Sequence, residues 1–218
     1  MEAMKTKIKY KSWTILLTFL FVIGNVTAQN DDLETGMKII GNEVIVNSSP
    51  EDVWQALASF GNVSSFLSTI DEGSALNGTL NLAVVGSERE SIIPQGINNI
   101  IQKERIIELM EGIYYTYDVY ESESLPVKKM LITYGIKLNE EGNTVLYSRI
   151  KYKMNSGLKT RMLKGKLDKG NMDSLIAYKY YIETGEENRD IVVLRKRYKY
   201  RDQIQSDNDL IATNVSHK

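Results

Sequence analysis

Residues 44–54, Val-Ile-Val-Asn-Ser-Ser-Pro-Glu-Asp-Val-Trp, mark the passage from a strand to a helix. Apolar residues alternate up to Val46, which is typical of a strand with one buried face. Ser49 suits the N-cap of a helix, Pro50 suits its first turn, and the two acidic residues that follow complement the helix dipole. This stretch therefore predicts a first strand over 37–46 and a helix over 50–59.

Downstream of this helix, residues 69–154 have the pattern of an antiparallel meander. Polar turns that contain Gly112 and Gly142 each separate two apolar, β-branched and aromatic segments, as in β-hairpins. Met130, Ile132 and Tyr134 alternate with polar residues, so one face of the sheet is expected to be buried and the other wet.

A long helix is expected to follow the strands and to end near Glu183. Its apolar residues have helical spacing, whereas Gly165 and Gly170 predict a kink or break in the middle. A strand, two short helices, a run of strands and a long helix together predict an α+β domain, with the helices on one face of an antiparallel sheet.

Three stretches resemble the SRPBCC superfamily, also called START-like or birch-allergen-like, and specifically its polyketide cyclase/dehydrase branch. They are residues 44–54 with the Phe-Gly-Asn of 60–62, residues 104–127, and residues 170–175 with the Tyr-Tyr-Ile-Glu of 180–183. The resemblance covers about residues 38–184, and we assign the domain to 36–184. It implies a helix-grip fold, in which a curved antiparallel sheet is wrapped around a long C-terminal helix, with two short helices after strand 1.

The family fold also implies a cavity between the sheet and the long helix. Members bind lipids, hormones, sterols or polyketides there, and some catalyse cyclisation or related reactions. The chain has thirteen tyrosines and four phenylalanines, and tyrosine suits a pocket that is apolar but must orient a ligand. The residues expected to line the cavity are Trp54, Phe60, Phe66, Tyr115, Tyr117, Tyr134, Tyr147, Met162, Met172 and Leu175.

The sequence offers few candidate residues for catalysis or for binding a metal or cofactor. The chain has no cysteine, and its single histidine, His217, lies beside the C-terminus, so we predict neither a metal site nor a cofactor. Catalytic residues stay unassigned. Glu104, Arg105, Asp118 and Arg149 lie on predicted strands, but the sequence does not show which of them face the cavity.

Both ends of the chain extend beyond the predicted domain. Residues 1–28 have a basic head, a short apolar stretch, and Val26 and Ala28 at the positions that signal peptidase recognises. They predict a signal peptide cleaved between Ala28 and Gln29, and hence a periplasmic or secreted protein. Residues 185–218 are expected to form a charged extension. Its basic run, 194–201, is either a solvated helix face or a weak contact with an anionic membrane surface, and export argues against nucleic acid.

Three hypotheses about function remain open. The first is a non-enzymatic binder or carrier of a lipid-, sterol- or polyketide-like molecule. The second is a cyclase- or dehydratase-like enzyme that acts on an apolar substrate through cavity tyrosines and one buried acid. The third is a structural or interaction protein whose cavity is filled by side chains. The sequence names neither the ligand nor the oligomeric state.

Overall fold

The computed structural model describes residues 36–76, 78–79, 81–95, 98–123, 125–155, 160–187 and 190–198, with 95, 98 and 160–162 described by their backbone alone. The predicted signal peptide lies outside these residues, as do His217 and the last part of the charged extension. Within the described ranges, no helix combines the length and apolar character that crossing a membrane would require.

The described residues form a seven-stranded antiparallel sheet with three α-helices and one 3₁₀ helix. In chain order the elements are β1 Lys38–Val46, α1 Pro50–Ala58, the 3₁₀ helix Phe60–Ser65, β2 Glu72–Ala75, β3 Glu88–Gln95, β4 Asn98–Met110, β5 Tyr114–Ser122, β6 Val127–Leu138, β7 Thr144–Met154, α2 Thr160–Thr184 and α3 Ile191–Arg197. The strands lie side by side in the order β1-β7-β6-β5-β4-β3-β2. The predicted α+β helix-grip class is confirmed.

The first strand and helix form as residues 44–54 predict. The hydroxyl of Ser49 accepts a hydrogen bond from the backbone N–H of Asp52 at 3.1 Å, and Pro50 occupies the first turn of α1. The Ser48 and Ser49 hydroxyls also donate to the Asp52 carboxylate, and these hydrogen bonds lower its pKa. The cap therefore stops β1 and starts α1 within four residues.

One face of the curved sheet supports the core. Register places Tyr115 of β5 opposite Tyr134 of β6, and Tyr134 opposite Ser148 of β7, so these three side chains share the inner face. The pairing of β4 with β5 shifts register at two places, after Lys103 and after Ile106. Such bulges bend a strand and increase its twist, which suits a sheet that curves around a helix.

The long helix α2 lies against this inner face and runs in the same direction as β1. Asn42 in β1 donates a hydrogen bond to Asp168 at 2.9 Å, while Glu183, at the other end of α2, accepts one at 2.8 Å from the backbone N–H of Asn47. Helix α2 is continuous from Thr160 to Thr184, so the predicted break at its two glycines was wrong. Burial of its C-terminal half outweighs the weak helix propensity of glycine.

Two further expectations differ from the structure. The alternation over residues 84–92 predicts a strand that starts at Val84, but β3 begins only at Glu88, because Val84 and Val85 belong to a turn that includes Gly86 at φ 91°. The basic run also does more than form a solvated face. Leu194 of α3 is 1% exposed and belongs to the buried core, and Arg195 of α3 forms an ion pair with Asp173 of α2.

Candidate functional site between the sheet and helix α2

Aromatic rings fill the middle of the space between the sheet and α2. Tyr117 and Tyr134 stack with ring centroids 6.4 Å apart and an interplanar angle of 11°. Tyr134 meets Tyr178 of α2 edge to face at 5.6 Å, and Phe60 meets Tyr115 at 5.8 Å. Such contacts add stability beyond the burial of area, so these rings form one connected cluster.

Most of the residues predicted to line the cavity belong to this interior. The Trp54 and Tyr115 rings meet edge to face with their centroids 6.4 Å apart. The Phe66 and Tyr181 rings are stacked with their centroids 4.6 Å apart. Met172 and Leu175 are buried on α2. The predicted residues that lie within or against the buried core are Trp54, Phe60, Phe66, Tyr115, Tyr117, Tyr134, Met172 and Leu175.

Two predicted cavity residues are not in this set. Tyr147 pairs with Gly135 across β6 and β7, and its parity places it on the outer face of the sheet, so its placement in the interior was wrong. A Cβ on Gly135 would lie 2.5 Å from Cζ of Tyr147, which shows that the tyrosine ring lies directly over this glycine. The side chain of Met162 lies outside the described residues.

A buried ion pair lies beside the aromatic cluster. Arg89 of β3 and Glu104 of β4 are cross-strand partners, and their side chains are 3% and 0% exposed. Nε of Arg89 donates to Glu104, which also accepts from Gln102, while Nη1 of Arg89 donates to the carbonyl of Phe60 at 2.7 Å. The guanidinium lies 4.1 Å from the centre of the Phe60 ring and 5.2 Å from that of Tyr117.

The electrostatics of this pair hold Arg89 in its charged form. Burial is the largest single influence and disfavours the charged guanidinium, but the Glu104 carboxylate and the nearby tyrosines together outweigh it and raise the pKa of Arg89 above its ordinary value. Stability does not explain such a pair, because apolar residues of similar volume in place of a buried ion pair are often neutral or stabilising.

Two buried polar atoms of the interior have no hydrogen-bond partner among the described residues. They are the hydroxyl of Tyr152 on the inner face of the sheet and the side-chain oxygen of Asn171 on α2. The hydroxyl of Tyr115 lies within reach of Tyr178, and that of Ser148 within reach of Tyr134. The amide nitrogen of Asn171 does reach the Ser148 carbonyl, at 3.5 Å. Each unpartnered buried group costs about 1–3 kcal/mol, so these atoms favour a function that gives them polar partners.

The interior tyrosines are held in their neutral forms. Burial, followed by the nearby Glu104 carboxylate, raises the pKa of Tyr117 well above its usual value. Burial likewise raises the pKa of Tyr134 and, to a greater extent, that of Tyr178. Neutral phenols can both donate and accept hydrogen bonds, which suits them to orient hydroxyl or carbonyl groups.

The four charged strand residues divide between the two faces of the sheet. Glu104 faces the interior, whereas Arg105, Asp118 and Arg149 lie on the outer face. Asp118 accepts a hydrogen bond from Lys129 at 2.7 Å there. The strand register therefore shows which face of the sheet each of these four residues occupies, which the sequence did not.

Sequence reasoning missed the most polar residues of the interior. Arg89 lies in a predicted strand but was not singled out, because its neighbours on the same face, Ser87 and Ser91, are polar and do not mark that face as buried. Tyr178 follows Asn171 and Leu175 at helical spacing and could have been found from that stripe. Ser148 carried no such signal, because a serine on a strand is common on either face.

Among the described residues, no group of three or more histidine, cysteine or acidic side chains is placed to hold a metal ion. Glu104, the acid of the interior, already accepts hydrogen bonds from Arg89 and Gln102.

A curved antiparallel sheet closed by a long C-terminal helix, with a polar and aromatic interior between them, defines a helix-grip protein. Solved structures with this arrangement include the Zhui aromatase/cyclase from a Streptomyces species, with a TM-score of 0.57 and 14% identity over 67% of this chain and 94% of that one. XoxI from Bacillus cereus matches with a TM-score of 0.54 and 23% identity, over 67% of this chain and 96% of the other.

A ginseng major latex-like protein from Panax ginseng matches with a TM-score of 0.54 and 18% identity, over 68% of this chain and 97% of that one. No protein-family model matches the sequence, and no curated protein matches it. The described domain has the fold of the SRPBCC superfamily, which confirms the predicted resemblance at that level. Its place in the polyketide cyclase/dehydrase branch stays a prediction.

Proposed function

We propose that this domain binds a small molecule with an apolar body and at least one polar group between the sheet and α2. The observation that carries the proposal is the buried Arg89–Glu104 pair among aromatic rings, together with the unpartnered hydroxyl of Tyr152 and side-chain oxygen of Asn171. The rings supply apolar area, and the polar atoms supply the few convergent contacts that fix the orientation of a ligand.

Burial of the ligand's apolar body would supply the affinity. Each buried CH₂ contributes about 0.8 kcal/mol, so about ten carbons contribute about 8 kcal/mol before ordering costs. Lipid-, sterol- and polyketide-like molecules all have this combination of an apolar body and a few oxygens. We further propose that the protein is an exported carrier, because residues 1–28 have the pattern of a signal peptide.

One experiment tests both proposals. The protein is purified from its own host without detergent and examined by native and denaturing mass spectrometry. We expect a polypeptide that begins at Gln29 and carries an additional mass of a few hundred daltons, which organic solvent removes. A protein that is always recovered empty, and that also fails to bind fluorescent fatty-acid and sterol probes, overturns the binding proposal. An intact N-terminus in the exported fraction overturns the proposed cleavage.

The alternative is a cyclase- or dehydratase-like enzyme, and it is favoured by one observation: Glu104 faces the interior. However, this carboxylate already accepts hydrogen bonds from Arg89 and Gln102, so its oxygens are engaged with the protein rather than free to contact a substrate. If the wild-type protein converts the molecule recovered from the host and the Glu104→Gln variant does not, the enzyme hypothesis is correct. Release of the molecule unchanged by both proteins favours the carrier.

Contact of the basic run 194–201 with an anionic membrane stays a prediction. Arg195 forms an ion pair with Asp173, and Arg197 lies 5.1 Å from the centre of the Tyr180 ring, so two of its cations already contact α2.

A further inference from the structure

Helix α2 has two halves that differ in how firmly they are held. Every residue from Asn171 to Tyr178 is buried except Ser174, which is half-buried. Between Leu163 and Gly170 the reverse holds, since Leu163 alone is buried and five of the eight residues are exposed. A helical segment with few buried side chains opens locally at a lower free-energy cost than one that is buried on several sides.

The C-terminal half of α2 is fixed from outside by α3. Leu194 is buried in the core, and Arg195 binds the carboxylate of Asp173 through two nitrogens. Asp173 is 7% exposed at its side chain, so this ion pair is largely shielded from solvent. Asp173 is a buried carboxylate of α2, and α3 supplies its partner.

A second set of contacts ties the same half to the end of β1. Lys179 donates to the carbonyl of Ile45 at 2.6 Å and to Glu183 at 2.6 Å, and Glu183 accepts from the N–H of Asn47. Tyr198, which follows α3, lies with its ring 5.3 Å from the Lys179 ammonium. The C-terminal half is therefore held by both β1 and α3.

The N-terminal half has one polar contact with the sheet, from Asn42 to Asp168, within the part of the chain that the structure describes. It also contains Gly165 and Gly170, and a Cβ built on either would meet nothing within 4 Å. Close packing therefore does not require these glycines. Their effect is to weaken the helix, because glycine keeps more conformational freedom when it unfolds.

We propose that residues 163–170 are a lid over the interior, and that α3 is a clasp which keeps the rest of α2 in place when the lid opens. The direction of α2 along β1 places this lid over the start of β1 and the end of β7, where the unpartnered hydroxyl of Tyr152 lies. Ligand enters and leaves through the opening, and Gly165 and Gly170 set how often it forms. This inference rests on the proposed ligand binding.

Hydrogen exchange of the full chain tests the lid without any ligand. We expect the amides of 163–170 to exchange faster than those of 171–184. Gly165→Ala and Gly170→Ala should each reduce the opening about 3-fold, and about 10-fold together, because alanine favours the helix and nothing obstructs its methyl group. Lys169→Arg is the control, since it changes an exposed residue of the same segment without a large change in helix propensity. Uniform exchange over 163–184 would overturn the lid.

The release rate of a fluorescent fatty-acid probe tests whether the lid gates the site. We expect the double alanine variant to release the probe about 10-fold more slowly, with Lys169→Arg at the wild-type rate. A variant with slowed exchange but unchanged release would show that ligand leaves elsewhere, which overturns the gating. Failure of every protein to bind the probe would count against the proposed function, and the hydrogen-exchange result would still decide whether the lid opens.

The clasp has its own test. Arg195→Gln removes the charge that neutralises the buried Asp173, and Leu194→Ala removes the apolar contact. Either change should speed the exchange of 171–184 toward that of the lid. An unchanged ratio between the two halves in both variants would overturn the role of α3. Lys196→Gln, on an exposed residue of the same helix, is the matched control.

Discussion

Gly135 shows how one residue on the outer face of the sheet sets the position of its neighbour. The Tyr147 ring lies across this glycine, and a Cβ there would also lie 2.8 Å from Cβ of Tyr114. We predict that Gly135→Ala lowers the free energy of unfolding by about 1–3 kcal/mol, because the methyl group forces the ring to move. Denaturation in urea, monitored by circular dichroism, measures this change.

The same substitution in a Tyr147→Ala background separates the two neighbours. Removal of the ring should reduce the cost of Gly135→Ala, leaving only the contact with Tyr114. Gly41→Ala serves as the control, since a Cβ there would lie 4.0 Å from the Ser148 carbonyl oxygen and should cost less. An equal cost of Gly135→Ala with and without Tyr147 would show that this tyrosine does not cover the glycine.

At the scale of the elements, the β3–β4 pair carries the buried charges. We predict that Glu104→Leu alone costs about 3–5 kcal/mol of stability, because it leaves the Arg89 guanidinium buried without its counter-ion. The double variant Arg89→Met/Glu104→Leu should recover that loss and can exceed the wild type by about 1–4 kcal/mol. Chemical denaturation of the three proteins gives the coupling energy.

The Arg89→Met/Glu104→Leu variant should keep its stability but lose affinity for a ligand. The double variant should bind a polar-headed probe more weakly while it stays folded, since the charged anchor is gone. The outer-face pair Lys129–Asp118, with side chains 27% and 18% exposed, provides the comparison on the same sheet. If Lys129→Met/Asp118→Leu weakens binding as much as the interior double variant, the interior pair is not the anchor.

The whole molecule should lose stability at alkaline pH. Tyr117 and Tyr178 have a pKa well above 10.0 in the folded protein, chiefly because of burial, whereas the unfolded chain titrates near that value. A raised folded pKa means that the unfolded state loses its protons first. The stabilisation is therefore complete below pH 10 and is lost as the pH rises through that value toward the folded pKa.

Absorbance of tyrosinate at 295 nm, recorded beside circular dichroism, measures this effect. We expect the exposed tyrosines to titrate first and the interior ones only as the protein unfolds. Tyr178→Phe should make the fall in stability with pH shallower. Titration of all the tyrosines in one step with the fold intact would contradict the buried, neutral interior.

Local signals determined the order of the elements. The Ser49–Pro50 cap, the Gly112 and Gly142 turns and the alternation around Tyr134 all act between residues that are near in the chain, so the residues themselves reveal them. The prediction of a break at Gly165 and Gly170, which was based on helix propensity, was wrong. Helix α2 is stabilised by burial of its C-terminal half rather than by the intrinsic helix propensity of its residues.

The sequence by itself determined the fold class, the long helix and most of the aromatic interior. Tertiary structure alone decided that Arg89 meets Glu104, that Tyr147 faces outward, and that part of the extension packs on α2 as α3. The reason is that strand parity and helix docking depend on register and on contacts between distant residues. A shift of one residue in a strand exchanges its two faces, and no local pattern records which partner a buried charge will find.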